Sequence, residues 1–270
     1  MNITNDSEAD SKISMYLLET ENLLYGDIIF TRTSKKSSNL ICKFTKSNFS
    51  HALMYVGNNS YIHSDLDGVH SANTQRLLIE QESFAKVVRV DDRLIVDKAI
   101  EFARLQVGTS YSRLGAANAG LKLIPNYKTS KQFCSRLVAQ AYEYAGLKIV
   151  EDSTSCLPEE ILSSISVRVI ENCLKLATTE ERDFALSYDP IKKQSEITND
   201  ILIQLKKIFG SKIESLADVT TALIKEPQLD QIVTDIYINS GYLSMWKYEV
   251  DKNQWRYNTE QFLALPINVD

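Results

Sequence analysis

SHALMYVGNNSYIH, residues 50–63, holds two runs of strand-forming residues, 51–56 and 61–63, around the turn formers Gly57, Asn58, Asn59 and Ser60. A short apolar run, an Asn-rich turn and a second apolar run predict a β-hairpin. The same stretch carries two of the three histidines of the chain, His51 and His63, and therefore sets adjacent strands and candidate chemistry together. Working outward, residues 27–32 read as a strand entered from Gly26, and the Ser/Lys-rich residues 33–38 as a loop. Residues 69–71 and 86–90 are further short strands. From 94 to 107 the apolar residues Ile95, Ala99, Phe102 and Ala103 recur at helical spacing, and Gly108 supplies the stop. Residues 109–131 carry Gly115, Gly120 and Pro125 and read as a long loop. From 134 to 145, Leu137, Val138, Ala141, Tyr144 and Ala145 form one helical stripe closed by Gly146, so Cys134 stands in the first turn of a helix. SVRVIE, residues 166–171, alternates as a closing strand.

Beyond Asn172 the pattern becomes helical: Ile197, Ile201, Leu202, Leu205 and Ile208, then Ile213, Leu216, Ala217 and Leu223, then Leu229, Ile232, Val233 and Ile236, with Pro227 between two helices and Trp246 and Trp255 near the end. The reading is an α+β fold in which a small antiparallel sheet packs against the Cys134 helix. It divides into a polar leader at 1–22, a catalytic domain at 23–171 and a helical appendage at 172–270. No Gly/Pro linker marks the second boundary, so the appendage is expected to pack on the domain.

A chain of 270 residues with 44% hydrophobic and 24% charged residues has globular composition, which excludes disorder and collagen-like architecture. No apolar run reaches the roughly 20 residues of a membrane span. The N-terminal stretch is polar and acidic, unlike a secretory signal. The chain is expected to be cytoplasmic as synthesised, with a specialised secretion route as its means of delivery if it acts outside. A net charge of −5 argues against nucleic acid as a partner. Cys42, Cys134, Cys156 and Cys173 form no C-x-x-C pair and read as free thiols.

A thiol becomes nucleophilic when ionised, and a helix N-terminus with a nearby imidazole favours that state. Cys134 has the first, and the hairpin could supply the second through His51, provided a bulge or strong twist brings His51 and His63 together. His63 is placed to hold the tautomer of His51. The competing readings are a buried core cysteine, and histidines that fill the core or bind zinc. Zinc is disfavoured because the histidines lack the helical or short-loop spacing of common sites. No metal and no cofactor is expected.

The hairpin resembles the segment of NlpC-type papain-like cysteine peptidases in which a base histidine opens a strand and a second histidine follows twelve residues later, a spacing His51 and His63 share. FCSRLVAQAYEYAG, residues 133–146, is similar to the nucleophile helix of that superfamily, and GTSYSRLG, residues 108–115, to its Gly-x-x-Tyr segment. The order His51, His63, Cys134 is the reverse of the peptidases. It is that of the circularly permuted branch, which includes YiiX-like and lecithin:retinol acyltransferase-like proteins and whose opening strand GDIIFTR, residues 26–32, resembles. The resemblance implies Cys134 as nucleophile, His51 as general base and acid, and His63 as the orienting residue. It also implies Tyr111 on the oxyanion side and Ser135 as support for the helix start. His70 has no place in this pattern and is expected in a surface strand or turn, with Asp65 and Asp67 in a solvated turn, though either carboxylate could take the orienting role.

The expected function is cysteine-dependent hydrolysis of an amide through a thioester, with bacterial cell-wall stem peptides as the leading substrate. One alternative is a lipid acyltransferase, phospholipase or thioesterase on the same Cys-His-His site, its apolar channel built by residues 114–127 (LGAANAGLKLIPNY). Another is a non-catalytic partner-binding module. A carrier, immunity or regulatory protein is the partner expected at residues 172–270.

Overall fold

In the computed structural model, which describes residues 14–45, 47–111, 132–210, 213, 215–245 and 247, Asn58 and Asn59 adopt φ of 50° and 54°. Two successive left-handed residues make the tight turn that matches strand twist, and asparagine tolerates that conformation better than most side chains. The turn joins β3 (His51–Gly57) to β4 (Ser60–Asp65), which continues through a second tight turn into β5 (Gly68–Asn73). With β2 (Ile28–Thr31), β6 (Ala85–Arg89) and β7 (Arg168–Ile170) they form a six-stranded antiparallel sheet ordered β5-β4-β3-β2-β6-β7. The register of β3 on β4 shifts between Tyr55 and Gly57, the irregularity that the two histidines require.

The central strand β3 is apolar without alternation because both of its faces are covered. Ala52, Met54 and Val56 join a core shared with α2 (Arg93–Leu105) and α3 (Cys134–Tyr144). Leu53 and Tyr55 point into a second core with Leu18, Ile79 and Cys173. Large side chains among them, such as Leu53, Met54 and Val56, contribute about 1.5–3 kcal/mol each on burial. A one-residue slip would exchange the two faces, so packing fixes the register and, with it, the position of His51.

Polar contacts secure the entry to β2. Asp27 is wholly buried, accepts from Arg89 Nε and a second guanidinium nitrogen at 2.7 Å each, and accepts from the Leu24 amide at 2.8 Å. Such a bidentate pair is tolerated in the interior because both charges are met by hydrogen bonds. The Tyr142 hydroxyl of α3 donates to the Gly26 carbonyl at 2.5 Å, joining the helix to the same strand start.

Three details differ from the sequence reading. The stretch 33–38 is not all loop, because α1 (Lys36–Thr45) begins inside it. Its serines looked like loop formers, yet buried Ser38 accepts from the Thr33 amide at 3.0 Å and meets the Ser50 hydroxyl at 2.7 Å, which anchors the helix start. Within the expected leader, β1 (Tyr16–Leu18) pairs with β8 (Leu174–Leu176). The contacts of the chain fall into Met1–Tyr188 and Asp189–Asp270, so the first unit holds α4 (Pro158–Leu162) and continues past the change of periodicity at Asn172 to include β8 and α5 (Thr179–Leu186).

The second unit contains α6 (Pro190–Phe209), α7 (Ala217–Lys225) and α8 (Asp230–Asn239). Asp189 caps α6 through the amides of Ile191 and Lys192, with Pro190 in the first turn. Ile197, Ile201, Leu202 and Leu205 bury against Val219, Val233 and Ile236, the stripe expected from their spacing, whereas Ile232 is exposed. Residues 114–127, Trp246 and Trp255 lie outside the described residues. No helix among the described residues is long and apolar enough to cross a membrane.

Candidate active site

The Cys134 helix begins after Phe133, whose extended backbone offers no side-chain cap. The unpaired amides of the first turn are therefore available, and the Ser135 N–H donates to the Cys134 sulfur, as does the Ala52 N–H from β3. Cys134 is half-buried and hydrogen-bonds His51 at the start of that strand. Burial works to raise the thiol, but the facing His51 charge, its hydrogen bond and the two backbone donors outweigh it, and Cys134 lies below the ordinary thiol range. The reciprocal holds for His51. Burial works to lower it, while Cys134 and then Asp65 raise it.

The other three cysteines show the contrast. Burial pushes Cys42 and Cys156 up, and Cys173 up to about 11. Of the four thiols, Cys134 is the one held toward its ionised form.

His51 Nε2 lies 2.8 Å from His63 Nδ1, with the rings edge to face. His51 therefore stands between Cys134 and His63. His63 is 7% exposed, and burial together with the neighbouring His51 and His70 holds it well below the usual histidine range, against the pull of Asp65. A neutral His63 that accepts at Nδ1 from His51 carries its proton on Nε2. That nitrogen is buried and has no hydrogen-bond partner, since the nearest Asp65 oxygen is 4.0 Å away.

His70 lies on the edge strand β5 and Asp65 at the turn end of β4, but the two side chains are joined to each other and to His63, which the sequence did not suggest. The β4–β5 register pairs His63 directly with His70, whose rings approach to 4.3 Å between centroids. Asp65, two residues along the same strand, meets His70 Nε2 at 3.0 Å and accepts from the Asp67 amide at 2.9 Å. Burial opposes the carboxylate, but His70, His63 and that amide hold it well below the usual range. Burial likewise opposes the His70 cation, and Asp65 raises it above the ordinary value. The signal for this pair was the tight turn at Leu66 and Asp67, which sets residue 70 opposite residue 63 once the hairpin is drawn in register. Atoms of His63, Asp65 and His70 able to ligate a metal lie within 4.8 Å of one another.

Ser135 is buried and donates to the Cys156 carbonyl at 2.7 Å, which ties the helix start to the segment before α4. Tyr111 forms a one-residue parallel bridge with Gln132, which places its backbone beside the residues that lead into Cys134.

A family model described as "Permuted papain-like amidase enzyme, YaeF/YiiX, C92 family" matches residues 22–166. Among solved structures, the crystal structure of the metalloprotein yiiX from Escherichia coli O157:H7 is similar over 55% of this chain and 97% of that one, at 14% identity and a TM-score of 0.37. No curated protein matches the chain.

Proposed function

The chain belongs to the permuted papain-like amidase family, and from that membership we propose that it cleaves an amide bond with Cys134 as nucleophile, His51 as general base and acid, and His63 as the residue that orients His51. The observation that carries this reading is the position of His51, hydrogen-bonded to Cys134 on one side and 2.8 Å from His63 on the other. That is the nucleophile, base and orienter arrangement, in which the third group holds the base in one tautomer.

With the thiol proton on His51, the Cys134 thiolate attacks the amide carbonyl carbon and the C=O pair moves onto oxygen. The tetrahedral species collapses as His51 gives the proton to the departing amine, which leaves a thioester on Cys134. Water then attacks the thioester while His51 takes one of its protons, and the acid is released as the proton returns to the sulfur. Backbone N–H groups at the start of α3 favour the thiolate, and Tyr111 is assigned to the oxyanion side. Ser135, engaged by the Cys156 carbonyl, supports the helix start instead of reacting. Peptide and isopeptide amides are the proposed substrate class, with cell-wall stem peptides first.

Labelling and turnover test the reading together. A limiting amount of iodoacetamide at neutral pH should modify Cys134 ahead of Cys42, Cys156 and Cys173, as mapped by peptide mass. Cys134→Ala should abolish stem-peptide turnover while the circular dichroism spectrum stays that of the parent. Equal labelling of the four thiols would remove the activated nucleophile, and with it the proposal.

A further inference from the structure

The β4–β5 hairpin brings a second group of side chains against the far side of His63. We propose that His63 Nε2, the Asp65 carboxylate and His70 Nε2 form a binding site for a divalent transition-metal ion of the zinc class.

Register and spacing supply the ligands. His63 and His70 are direct cross-strand partners, and Asp65 follows His63 by two residues, the spacing that returns a strand side chain to the same face. Donor atoms of all three lie within 4.8 Å of one another. A sequence search for helical or short-loop zinc spacing passes over this set, because the proximity comes from strand pairing.

An independent observation points to a ligand. His63 is 7% exposed and its Nε2 is buried without a hydrogen-bond partner, although Asp65 and His70 stand beside it. A buried ring nitrogen left unpaired is unfavourable, and a cation between the three groups would satisfy it.

The outer contacts fit as well. Metal-ligating histidines usually hand their other ring nitrogen to a partner that fixes the ring. His70 Nδ1 faces the Ser71 carbonyl at 3.4 Å, and His63 Nδ1 faces His51 at 2.8 Å. Two imidazoles and one carboxylate are borderline donors that suit zinc better than calcium or magnesium, and a three-ligand set leaves a further position open. The Asp65 side chain is 38% exposed and gives an ion a way in.

Occupancy bears on the chemistry through His63, and this consequence rests on the Cys134–His51–His63 reading. An ion at Nε2 displaces the proton there, so neutral His63 carries its proton on Nδ1 instead. The nitrogen that faces His51 then turns from acceptor to donor and opposes the Nε2–H that His51 presents when it holds the thiol proton. The proton shared by His70 and Asp65 leaves to solvent as the ion takes its place. A bound ion therefore restrains the nucleophile.

The test uses the full chain freed of metal by chelation, with zinc chloride as the probe. Calorimetric titration should show one zinc per chain, kept in Cys134→Ala and weakened at least tenfold in His70→Ala and in Asp65→Asn. Zinc should also slow iodoacetamide labelling of Cys134 in the parent, and not in His70→Ala. Loss of zinc binding in Cys134→Ala, or undiminished affinity in both hairpin variants, would overturn the site; two variants guard against one failing to fold. Zinc bound with the hairpin dependence, to a chain whose metal-free Cys134 labels no faster than the other thiols, would keep the site and reject the nucleophile. Labelling unchanged by bound zinc would overturn the coupling.

Discussion

At Cys134, two opposing effects decide the charge of one sulfur atom. Burial favours the thiol, and the His51 charge with two backbone donors favours the thiolate, with the second group prevailing. The sign of the pH dependence follows. A lowered pKa keeps the thiolate at pH values where a free thiol is protonated, and reactivity disappears only as the pH falls through the lowered value. In the presence of chelator, the labelling profile of Cys134 should lie on the acid side of that of an ordinary thiol, with reactivity kept where a free thiol has already lost it. His51→Ala removes the counter-charge and the hydrogen bond that favour the thiolate, so the labelling profile should move to higher pH, toward that of an ordinary thiol. Rates of iodoacetamide modification as a function of pH measure both effects, and an unchanged profile in the variant would show that His51 does not set the ionisation. His51 and His63 could be connected from sequence because one tight turn separates their strands. His70 and Asp65 were missed because their proximity to His63 depends on the register of a second hairpin, whose turn at Leu66, Asp67 and left-handed Gly68 was read as a solvated turn and not as the link between two paired strands.

The second hairpin is held in place as an element by the segment that follows α2. The Val69 amide donates to the Thr109 carbonyl and the Gly108 amide to the Val69 carbonyl, each at 2.8 Å. Gly68, at φ +97°, passes so close that a Cβ there would stand 2.7 Å from the Thr109 oxygen. Gly108 is also left-handed, at φ +90°, but a Cβ there would meet nothing within 4 Å. The two glycines therefore separate backbone strain from collision. Gly108→Ala should cost about 1 kcal/mol through its φ, and Gly68→Ala about 2–4 kcal/mol because a backbone oxygen must also give way. Urea denaturation would measure the difference, and equal losses would show that the hairpin can move off Thr109 freely. Elements with clear periodicity, such as α2 and α3, were readable within a residue or two, whereas the apolar stripe from Ile197 found α6 but not its polar first turns from Pro190. The helix Lys36–Thr45 was not, since its start rests on the Ser38 contact with Ser50, a tertiary interaction that a polar sequence does not announce.

Across the first unit, the chain closes on itself through two three-residue strands. Leu18 pairs with Leu174 and Tyr16 with Leu176, the Glu19 amide donates to the Cys173 carbonyl at 2.7 Å, and the Ala177 amide to the Met15 carbonyl at 2.9 Å. Neither strand is long enough to show a period, so composition placed the first in a polar leader and the second in a helical appendage. Their pairing covers the second core of the sheet, in which Leu18, Ile29, Leu53, Ile79 and Cys173 are buried. Farther along, the Arg76 guanidinium donates to the Phe184 and Ser187 carbonyls and lies over the Phe184 ring at 4.3 Å, which fixes α5 to the turn after β5. Two truncations locate where this unit ends. A chain ended after Tyr188 keeps β8 and α5. One ended after Asn172 leaves β1 without its partner and opens the core beneath Leu18 to water. The shorter form should be less stable than the longer by about 2–5 kcal/mol, the burial of one or two large apolar side chains with their strand hydrogen bonds. Comparison of their urea midpoints tests this, and equal midpoints would place the physical boundary at Asn172, where the apolar pattern of the sequence changes. A lower midpoint for the shorter form would mean that residues 173–188 complete the sheet domain, because the strand that closes its second core is supplied only after the helical pattern has begun.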